Sequence, residues 1–159
     1  MRIQLNARTP DDVKTYFERT NDPDIDRMLP RSVFTQEAAM ANYNASLLPG
    51  ATSFGRTIYV DGRYVGDIWI YCIDASAQPQ CMLSFCIFDK SCWGRGVATH
   101  ALDMFLLEVA HRYPLINSVG AFTYNHNRAS RRVLEKNSFA LADSFEEGGV
   151  PSCYYERRL

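Results

Sequence analysis

Residues 81–112 read CMLSFCIFDKSCWGRGVATHALDMFLLEVAHR, and this stretch combines three local patterns. Residues 82–88 form a short apolar run rich in Phe and Ile, which is typical of a buried strand. From Val97 onward apolar residues recur at the helical period, which predicts a helix with one apolar face. Gly94 and Gly96 lie between the two. The stretch therefore predicts a strand, a glycine turn and a helix.

The glycine turn has a chemical implication. Glycine lacks Cβ, so the backbone can turn sharply there, and the first N–H groups of the following helix have no intrahelical partner. With the positive end of the helix dipole, such N–H groups bind anions such as phosphate. The turn is therefore a candidate phosphate site, although glycines that serve only a tight turn would give the same pattern.

Length and charge narrow the class of protein. A chain of 159 residues fits one domain, so residues 1–159 are interpreted as a single unit. The formal net charge of −1 favours neither nucleic acid nor an anionic membrane. The apolar runs are too short to span a bilayer, and the segment MRIQLNARTPDD lacks the apolar block of a signal peptide. We therefore expect no nucleic-acid or membrane partner.

The five cysteines predict a reducing environment. Their number is odd and no C-x-x-C pair occurs, which favours free thiols over disulfides or a zinc site. The acidic segment NDPDIDRMLPRS begins like a calcium loop, with Asp22, Asp24 and Asp26. Its sixth and twelfth positions are Arg27 and Val33, however, where such a loop needs Gly and Glu. We therefore expect a solvated loop there, no metal, and a cytoplasmic protein.

The order of elements predicts the fold class. The predicted strands are 1–8, Phe54–Val60, 64–73, 82–88, Ser118–Tyr124, 139–145 and 153–159. The predicted helices begin near Thr9, Thr35, Val97 and Asn127. A meander followed by a strand–helix–strand crossover predicts a mixed, mostly antiparallel sheet of about seven strands flanked by about four helices, an α/β (α+β) fold.

This order of elements and two separated motifs resemble the GCN5-related N-acetyltransferase (GNAT) superfamily. The first motif is WGRGVAT at 93–99, and the second is NRASRRVLEKNSF at 127–139. The second is similar to the RimJ/RimL-type branch, which acetylates ribosomal-protein N-termini and related amines. The resemblance covers essentially the whole chain. It implies the acyl-CoA N-acyltransferase fold, acetyl-CoA as co-substrate, an amine acceptor and, as is common in this branch, a homodimer.

The resemblance also assigns the cofactor site. The turn would bind the pyrophosphate through backbone N–H groups, and the preceding strand would diverge from the next and pair with the pantetheine arm. The second motif would contact the pantetheine arm or its thiol end. The cofactor-binding residues expected on this basis are Ile87, Phe88, Trp93, Gly94, Arg95, Gly96, Val97, Ala98, Thr99, Asn127 and Ser130. From the residues alone, Asn127 could be only a helix cap and Trp93 only a packing residue.

The catalytic residues stay open at this point. Ser130 matches a serine proposed in the branch to protonate the departing thiolate, and Tyr124 is an alternative acid. An attacking amine must be neutral, yet residues 82–88 carry no carboxylate, although many relatives place a general base there. Asp67 on the preceding strand and Asp89 beyond the strand are candidate bases, and a water relay is the alternative.

The expected reaction is direct attack of the amine on the thioester in a ternary complex, with backbone N–H groups near Phe88 polarising the carbonyl. A non-catalytic acyl-CoA-binding module on the same fold is the main rival, favoured by the missing strand carboxylate. A dinucleotide-binding oxidoreductase would need a third glycine at Thr99. An acyl intermediate on Cys86 or Cys92 would lack a neighbouring His in the sequence. The acceptor could be a protein N-terminus or a small amine.

Overall fold

The computed structural model describes residues 1–76 and 78–159. The strands in these residues are β1 (Ile3–Ala7), β2 (Phe54–Val60), β3 (Arg63–Asp74), β4 (Gln80–Ile87), β5 (Ser118–Tyr124), β6 (Ala140–Glu147) and β7 (Val150–Arg158). They form one sheet in the order β1-β2-β3-β4-β5-β7-β6. Neighbouring strands are antiparallel except β4 and β5, which are parallel. The predicted mixed sheet of seven strands is confirmed.

Helices flank the sheet, and one of them was not expected from the sequence. The helices in the described residues are α1 (Pro10–Arg19), α2 (Pro23–Met28), α3 (Gln36–Ser46), α4 (Val97–Arg112) and α5 (Arg128–Lys136). The prediction of a loop is wrong where α2 lies. Asp22 caps this helix by accepting a hydrogen bond from the Asp24 N–H at 2.8 Å, and Pro23 suits the first helical position. Six residues are too few to reveal a helical period.

The aspartates at the start of α2 are held by a lysine. Lys90 Nζ lies 2.9 Å from a carboxylate oxygen of Asp22 and 2.8 Å from one of Asp24. Lys90 belongs to the single helical turn 90–92 that precedes the glycine turn. These ion pairs therefore join α2 to the candidate phosphate site, and both carboxylates already have a cation. Within residues 1–76 and 78–159, no cluster of three side chains could hold a metal ion.

The long helix α4 packs its apolar face on the sheet. Its buried residues are Val97, Ala101, Leu102, Phe105, Leu106 and Val109, at the predicted spacing. The Phe105 ring stacks on the Phe54 ring of β2 with centroids 5.8 Å apart. Burial of each large apolar side chain contributes roughly 1.5–3 kcal/mol. This packing fixes the start of α4 beside the end of β4. No helix among the described residues is long and apolar enough to cross a membrane.

Candidate functional site

The only parallel pair of strands in the described sheet separates after three residues. Gln80, Cys81 and Met82 of β4 pair with Ser118, Val119 and Gly120 of β5. Beyond these residues β4 continues to Ile87 and β5 to Tyr124, but the two strands no longer pair with each other. A narrow cavity of about 40 Å³ lies in the gap. It is lined by Met28, Leu29, Leu83, Ser84, Phe85, Ala121, Phe122, Thr123, Asn127, Ser130 and Leu134. The predicted divergence of these strands is confirmed.

The edge of β4 in this gap presents backbone groups. The Phe88 N–H donates a hydrogen bond to the Val65 carbonyl at 2.9 Å, so it points toward β3. Since backbone groups alternate along an antiparallel strand, the N–H and C=O groups of Phe85 and Ile87 point to the opposite side, toward β5. The Phe88 N–H itself therefore does not face the gap. Among the N–H groups near Phe88 that we expect to polarise the carbonyl, that of Ile87 has the required direction.

Trp93 contacts this edge directly. Its indole N–H donates a hydrogen bond to the Ile87 carbonyl at 2.8 Å, and its side chain stays partly exposed. The Lys90 ammonium lies 5.9 Å from the centre of the indole ring. Trp93 therefore links the glycine turn to the end of β4, and packing alone does not describe its role.

The glycine turn leaves the start of α4 open. Gly94 and Gly96 have φ angles of 71° and 77°, a left-handed conformation that favours glycine. In the described part of the chain, α4 has no side chain capping its first turn. The backbone N–H groups of Val97, Ala98 and Thr99 are the first of this helix and have no intrahelical partner. The turn thus presents a helix N-terminus beside the gap between β4 and β5, as an anion site requires.

Asn127 and Ser130 lie on the opposite wall of the same gap. Both line its cavity, at the start of α5. The Asn127 side-chain oxygen accepts a hydrogen bond from the Ser130 N–H at 3.1 Å, so Asn127 is the N-cap of α5. This cap orients the first turn of α5 and places Ser130 on the wall of the cavity.

The carboxylates that were candidate bases have partners of their own. Asp67 is 2% exposed, and its carboxylate lies 2.9 Å from Arg8 Nη2 and accepts a hydrogen bond from the Tyr64 hydroxyl at 2.6 Å. Asp89 accepts hydrogen bonds from the Ser91 N–H at 3.0 Å and the Ser91 hydroxyl at 2.6 Å. Neither residue lines the cavity between β4 and β5.

Burial outweighs ion pairing at Asp67. Burial raises the pKa of its carboxyl to about 6 from the usual 3.8, although Arg8 and Tyr64 act in the opposite direction. The folded chain therefore keeps a proton on Asp67 at pH values where the unfolded chain has lost it. The contribution of this group to stability is greatest below about pH 4 and falls as the pH rises from 4 to 6.

We predict that Asp67→Asn removes this loss of stability. The free energy of unfolding, measured by urea titration at intervals from pH 4 to pH 7, should fall less steeply across that range in the variant than in the wild type. The difference between the two curves isolates Asp67 from the other carboxylates. Parallel curves would show that the carboxyl titrates as it does in the unfolded chain.

Tyr124 lies beside the cavity and not on its wall. Its ring stacks on that of His126 with centroids 5.2 Å apart. His126 Nε2 is 3.4 Å from the Arg27 carbonyl oxygen, which brings the end of β5 to α2. Sequence analysis did not assign His126 or the cavity residue Phe122. Every residue of β5 from Ser118 onward is small, apolar or aromatic, so no alternation marks which of them face the site.

The buried cysteines do not provide a nucleophile. Burial raises the pKa of Cys86 to about 12 from 9.0, so its thiol is protonated near neutral pH. Cys92 is also buried. Neither lines the cavity between β4 and β5. An acyl intermediate on these residues has no support.

A larger cavity of about 620 Å³ lies at the far end of α4. Leu47, Leu48, Arg56, Arg112 and Tyr113 are among its lining residues. It touches neither the glycine turn nor the gap between β4 and β5. Its size alone does not make it the site of the chemistry, because the backbone groups and the open helix start lie elsewhere.

Comparison with protein-family models gives one match. A family model described as acetyltransferase (GNAT) domain matches residues 2–140. No curated protein sequence is significantly similar to the chain.

Many solved structures share the fold. The ribosomal L7/L12 α-N-protein acetyltransferase RimL in complex with coenzyme A has a TM-score of 0.83 and 19% identity, covering 99% of this chain and 94% of its own. RimJ of Mycobacterium smegmatis with CoA-disulfide has a TM-score of 0.81 and 16% identity, covering 98% and 81%. The aminoglycoside acetyltransferase AAC(6')-Ib with coenzyme A and kanamycin has a TM-score of 0.78 and 17% identity, covering 99% and 95%. At such identities the likeness establishes the fold.

Proposed function

Because the chain belongs to the acetyltransferase (GNAT) domain family and transfers an acetyl group from acetyl-CoA to an amine, we propose which of its residues bind acetyl-CoA and which take part in catalysis. The observation that carries the proposal is the gap between β4 and β5, which opens beside the uncapped start of α4. One side of the gap offers backbone groups, and the other offers Ser130. The reaction would proceed by direct attack in a ternary complex.

The residues of the turn fit a pyrophosphate. The backbone N–H groups of Val97, Ala98 and Thr99 would donate to its oxygens, favoured by the positive end of the α4 dipole. A Cβ built at Gly94 has no atom within 4 Å, so the space above the turn is open. Arg95 is exposed and would add a positive charge beside the phosphates.

The edge of β4 would hold the pantetheine arm and the thioester. Phe85 directs its backbone N–H and C=O groups into the gap and Ile87 its N–H group, since the Ile87 carbonyl accepts the Trp93 indole N–H. An extended chain can pair with these free groups as an added strand. Acetyl-CoA supplies an activated acyl group on a thiol leaving group. The Ile87 N–H would polarise the thioester carbonyl, and Ser130 on the facing wall would donate a proton to the departing thiolate.

The proton of the attacking amine needs a route out of the site. No carboxylate is among the residues that line the cavity. Asp67 is buried against Arg8 and Tyr64, so as a base it would act only through a relay. We therefore place the amine proton on water at the open side of the gap, which would return a proton to Ser130 after Ser130 has protonated the thiolate, and keep Asp67 as the alternative. Of the candidate acids, Ser130 has the better position, and Tyr124 is the alternative.

Ser130→Ala is predicted to lower kcat about 100-fold, the usual range for loss of a general acid, with little change in KM for acetyl-CoA. Tyr124→Phe should retain most of the activity and serves as the control for the competing assignment. Release of free thiol reports turnover, and a screen of amines should begin with an N-terminal peptide and a small diamine.

A second measurement separates acid catalysis from a structural role. A more acidic thiol leaves readily as the thiolate and gains less from a general acid. With an acetyl thioester of such a thiol, the difference in kcat between Ser130→Ala and the wild type should therefore be smaller. If kcat differs between Ser130→Ala and the wild type by the same factor with both thioesters, Ser130 is not the general acid. A larger loss of kcat in Tyr124→Phe than in Ser130→Ala would exclude it as well. If the wild type binds acetyl-CoA but releases no thiol with any amine tested, the chain is a non-catalytic acyl-CoA-binding module.

A homodimer and a cytoplasmic location are further parts of the proposal. Phe34, Leu47 and Leu48 are large apolar side chains exposed before and after α3, which supports contact with a second copy. All five cysteines are free, which supports a reducing compartment. Sedimentation of the purified chain tests the dimer.

A further inference from the structure

Three aromatic side chains lie together on the sheet face beside the gap. Phe122 of β5 contacts Phe145 of β6, with ring centroids 5.7 Å apart and nearly perpendicular, and Tyr154 of β7, with centroids 5.0 Å apart. We call these three residues the aromatic platform. Phe122 is 54% exposed and also lines the cavity between β4 and β5. The platform is therefore continuous with the place where acetyl transfer would occur.

Strand alternation explains why the platform faces away from the core. Val119 and Ala121 are buried on the α4 side, so Gly120 and Phe122 face the other side of β5. A Cβ at Gly120 would lie 2.3 Å from the Tyr154 hydroxyl oxygen. The Tyr154 ring thus lies directly over the backbone of β5, in space that only glycine leaves free. This packing fixes the ring before any ligand binds.

Carboxylates flank the platform on the same face. Phe122 pairs directly with Tyr154, and Tyr154 pairs directly with Asp143, so these three form one row across β5, β7 and β6. Glu147 lies on the same face as Phe145, two residues along β6. Both carboxylates are exposed, and neither forms an ion pair within the described residues.

The negative charge of Glu147 also acts on a side chain of β3. Burial raises the pKa of Tyr71 on β3, and the negative charge of Glu147 raises it further. Tyr71 pairs with Met82, and Met82 pairs with Gly120, so Tyr71 lies on the side of the gap opposite the platform. The exposed carboxylates of Asp143 and Glu147 give the platform a negatively charged border along β6.

Resting on the proposed function, we propose that this face binds an acceptor with two amines joined by an apolar segment, a diamine or polyamine. One amine would enter the gap between β4 and β5. The apolar segment would lie on the aromatic platform, since aromatic faces attract both alkyl chains and ammonium groups. The second ammonium would pair with Asp143, which lies in the same row as Phe122 and Tyr154, and Glu147 farther along β6 would add to the negative field. A monoamine lacks a partner for these carboxylates, and a protein N-terminus carries no fixed second charge at that distance.

The test compares 1,6-diaminohexane with hexylamine, which have the same carbon chain. The wild type should acetylate the diamine with a kcat/KM about tenfold higher, because one exposed ion pair is weak but gains from the field of the second carboxylate. In the double variant Asp143→Asn with Glu147→Gln, the ratio of kcat/KM for the diamine to that for hexylamine should fall to about 1, with the kcat/KM for hexylamine unchanged. Asp103→Asn, an exposed carboxylate on α4, is the matched control and should keep the ratio.

Several outcomes would overturn the assignment. Equal rates with the two amines, or a ratio that persists in the double variant, would remove the second-charge site while leaving acetyl transfer intact. A higher kcat/KM with an N-terminal peptide than with the diamine would do the same. Thiol release with none of these acceptors would overturn the proposed function as well. If Phe122→Ser converts a sedimenting dimer to a monomer, the platform is a contact between copies instead.

Discussion

Gly96→Trp is expected to weaken acetyl-CoA binding by at least about 100-fold, because the indole of the introduced Trp would cover the backbone N–H groups of the first turn of α4. Gly96 is the N-cap of this helix, with φ 77°. A Cβ there would approach only the His100 ring, at 3.6 Å, so a side chain has room to leave the backbone and extend over the turn. Isothermal titration calorimetry with acetyl-CoA measures the loss, and NAD serves as a ligand that should bind to neither protein.

The control for this prediction is Gly62→Trp. Gly62 has φ 80° in the hairpin turn between β2 and β3 and no atom within 4 Å of a built Cβ. It therefore carries the same backbone strain and the same bulk, far from the glycine turn. Equal losses of affinity in the two variants would attribute the effect to strain. Unchanged affinity in Gly96→Trp would place the pyrophosphate elsewhere and remove the main support for the cofactor site.

Gly66→Ala is expected to lower the free energy of unfolding by about 3 kcal/mol, at the upper end of overpacking effects. A Cβ at Gly66 would lie 2.2 Å from the Cys86 carbonyl oxygen and 2.9 Å from the Ile87 Cα. These atoms belong to the backbone of β4, so no side chain can move aside to relieve the clash. The strands β3 and β4 would have to separate at the end that forms the edge of the gap.

Urea denaturation measures this cost, and Gly148→Ala is the comparison. Gly148 has φ 57° and open space around a built Cβ, so its replacement adds backbone strain of about 1 kcal/mol without a clash. If the two variants unfold at the same urea concentration, the contact between β3 and β4 is softer than the distances indicate. Gly66→Ala should also weaken acetyl-CoA binding, because β4 carries the groups that face the gap.

The sequence predicted the parts of the fold that have strong local signals. The strand–turn–helix at 81–112 was predictable because two glycines separate an apolar run from a helical period. The hairpin between β2 and β3 followed from Asp61 and Gly62, which both have positive φ angles in the structure. The helix α2 was missed because its signals are a cap and a proline at Asp22 and Pro23, with no periodic apolar face.

The candidate site was harder to predict because its chemistry depends on contacts that are distant in the sequence. Asp67 is a candidate base by residue type, but its partner Arg8 lies 59 positions earlier in the chain, in the loop between β1 and α1. The direction of the Phe88 N–H depends on the register of β4 against Val65. The aromatic platform depends on β7 lying between β5 and β6 in the sheet, an order that differs from their order in the chain. Local sequence patterns predict helices and strands. Which side chains and backbone groups come into contact depends on the register and the order of the strands in the sheet.

Under the proposed cofactor site, the uncapped start of α4 would link the stability of the protein to the supply of its co-substrate. In the described residues the other four helices each have a side-chain cap, from Thr9, Asp22, Thr35 and Asn127. A missing cap of this kind costs about 1 kcal/mol. A ligand that occupies the helix start shifts the folding equilibrium by mass action, by about 2.7 kcal/mol at 100 times its Kd. If acetyl-CoA occupies this helix start as proposed, the folded fraction, and with it resistance to proteolysis, would rise and fall with the acetyl-CoA concentration.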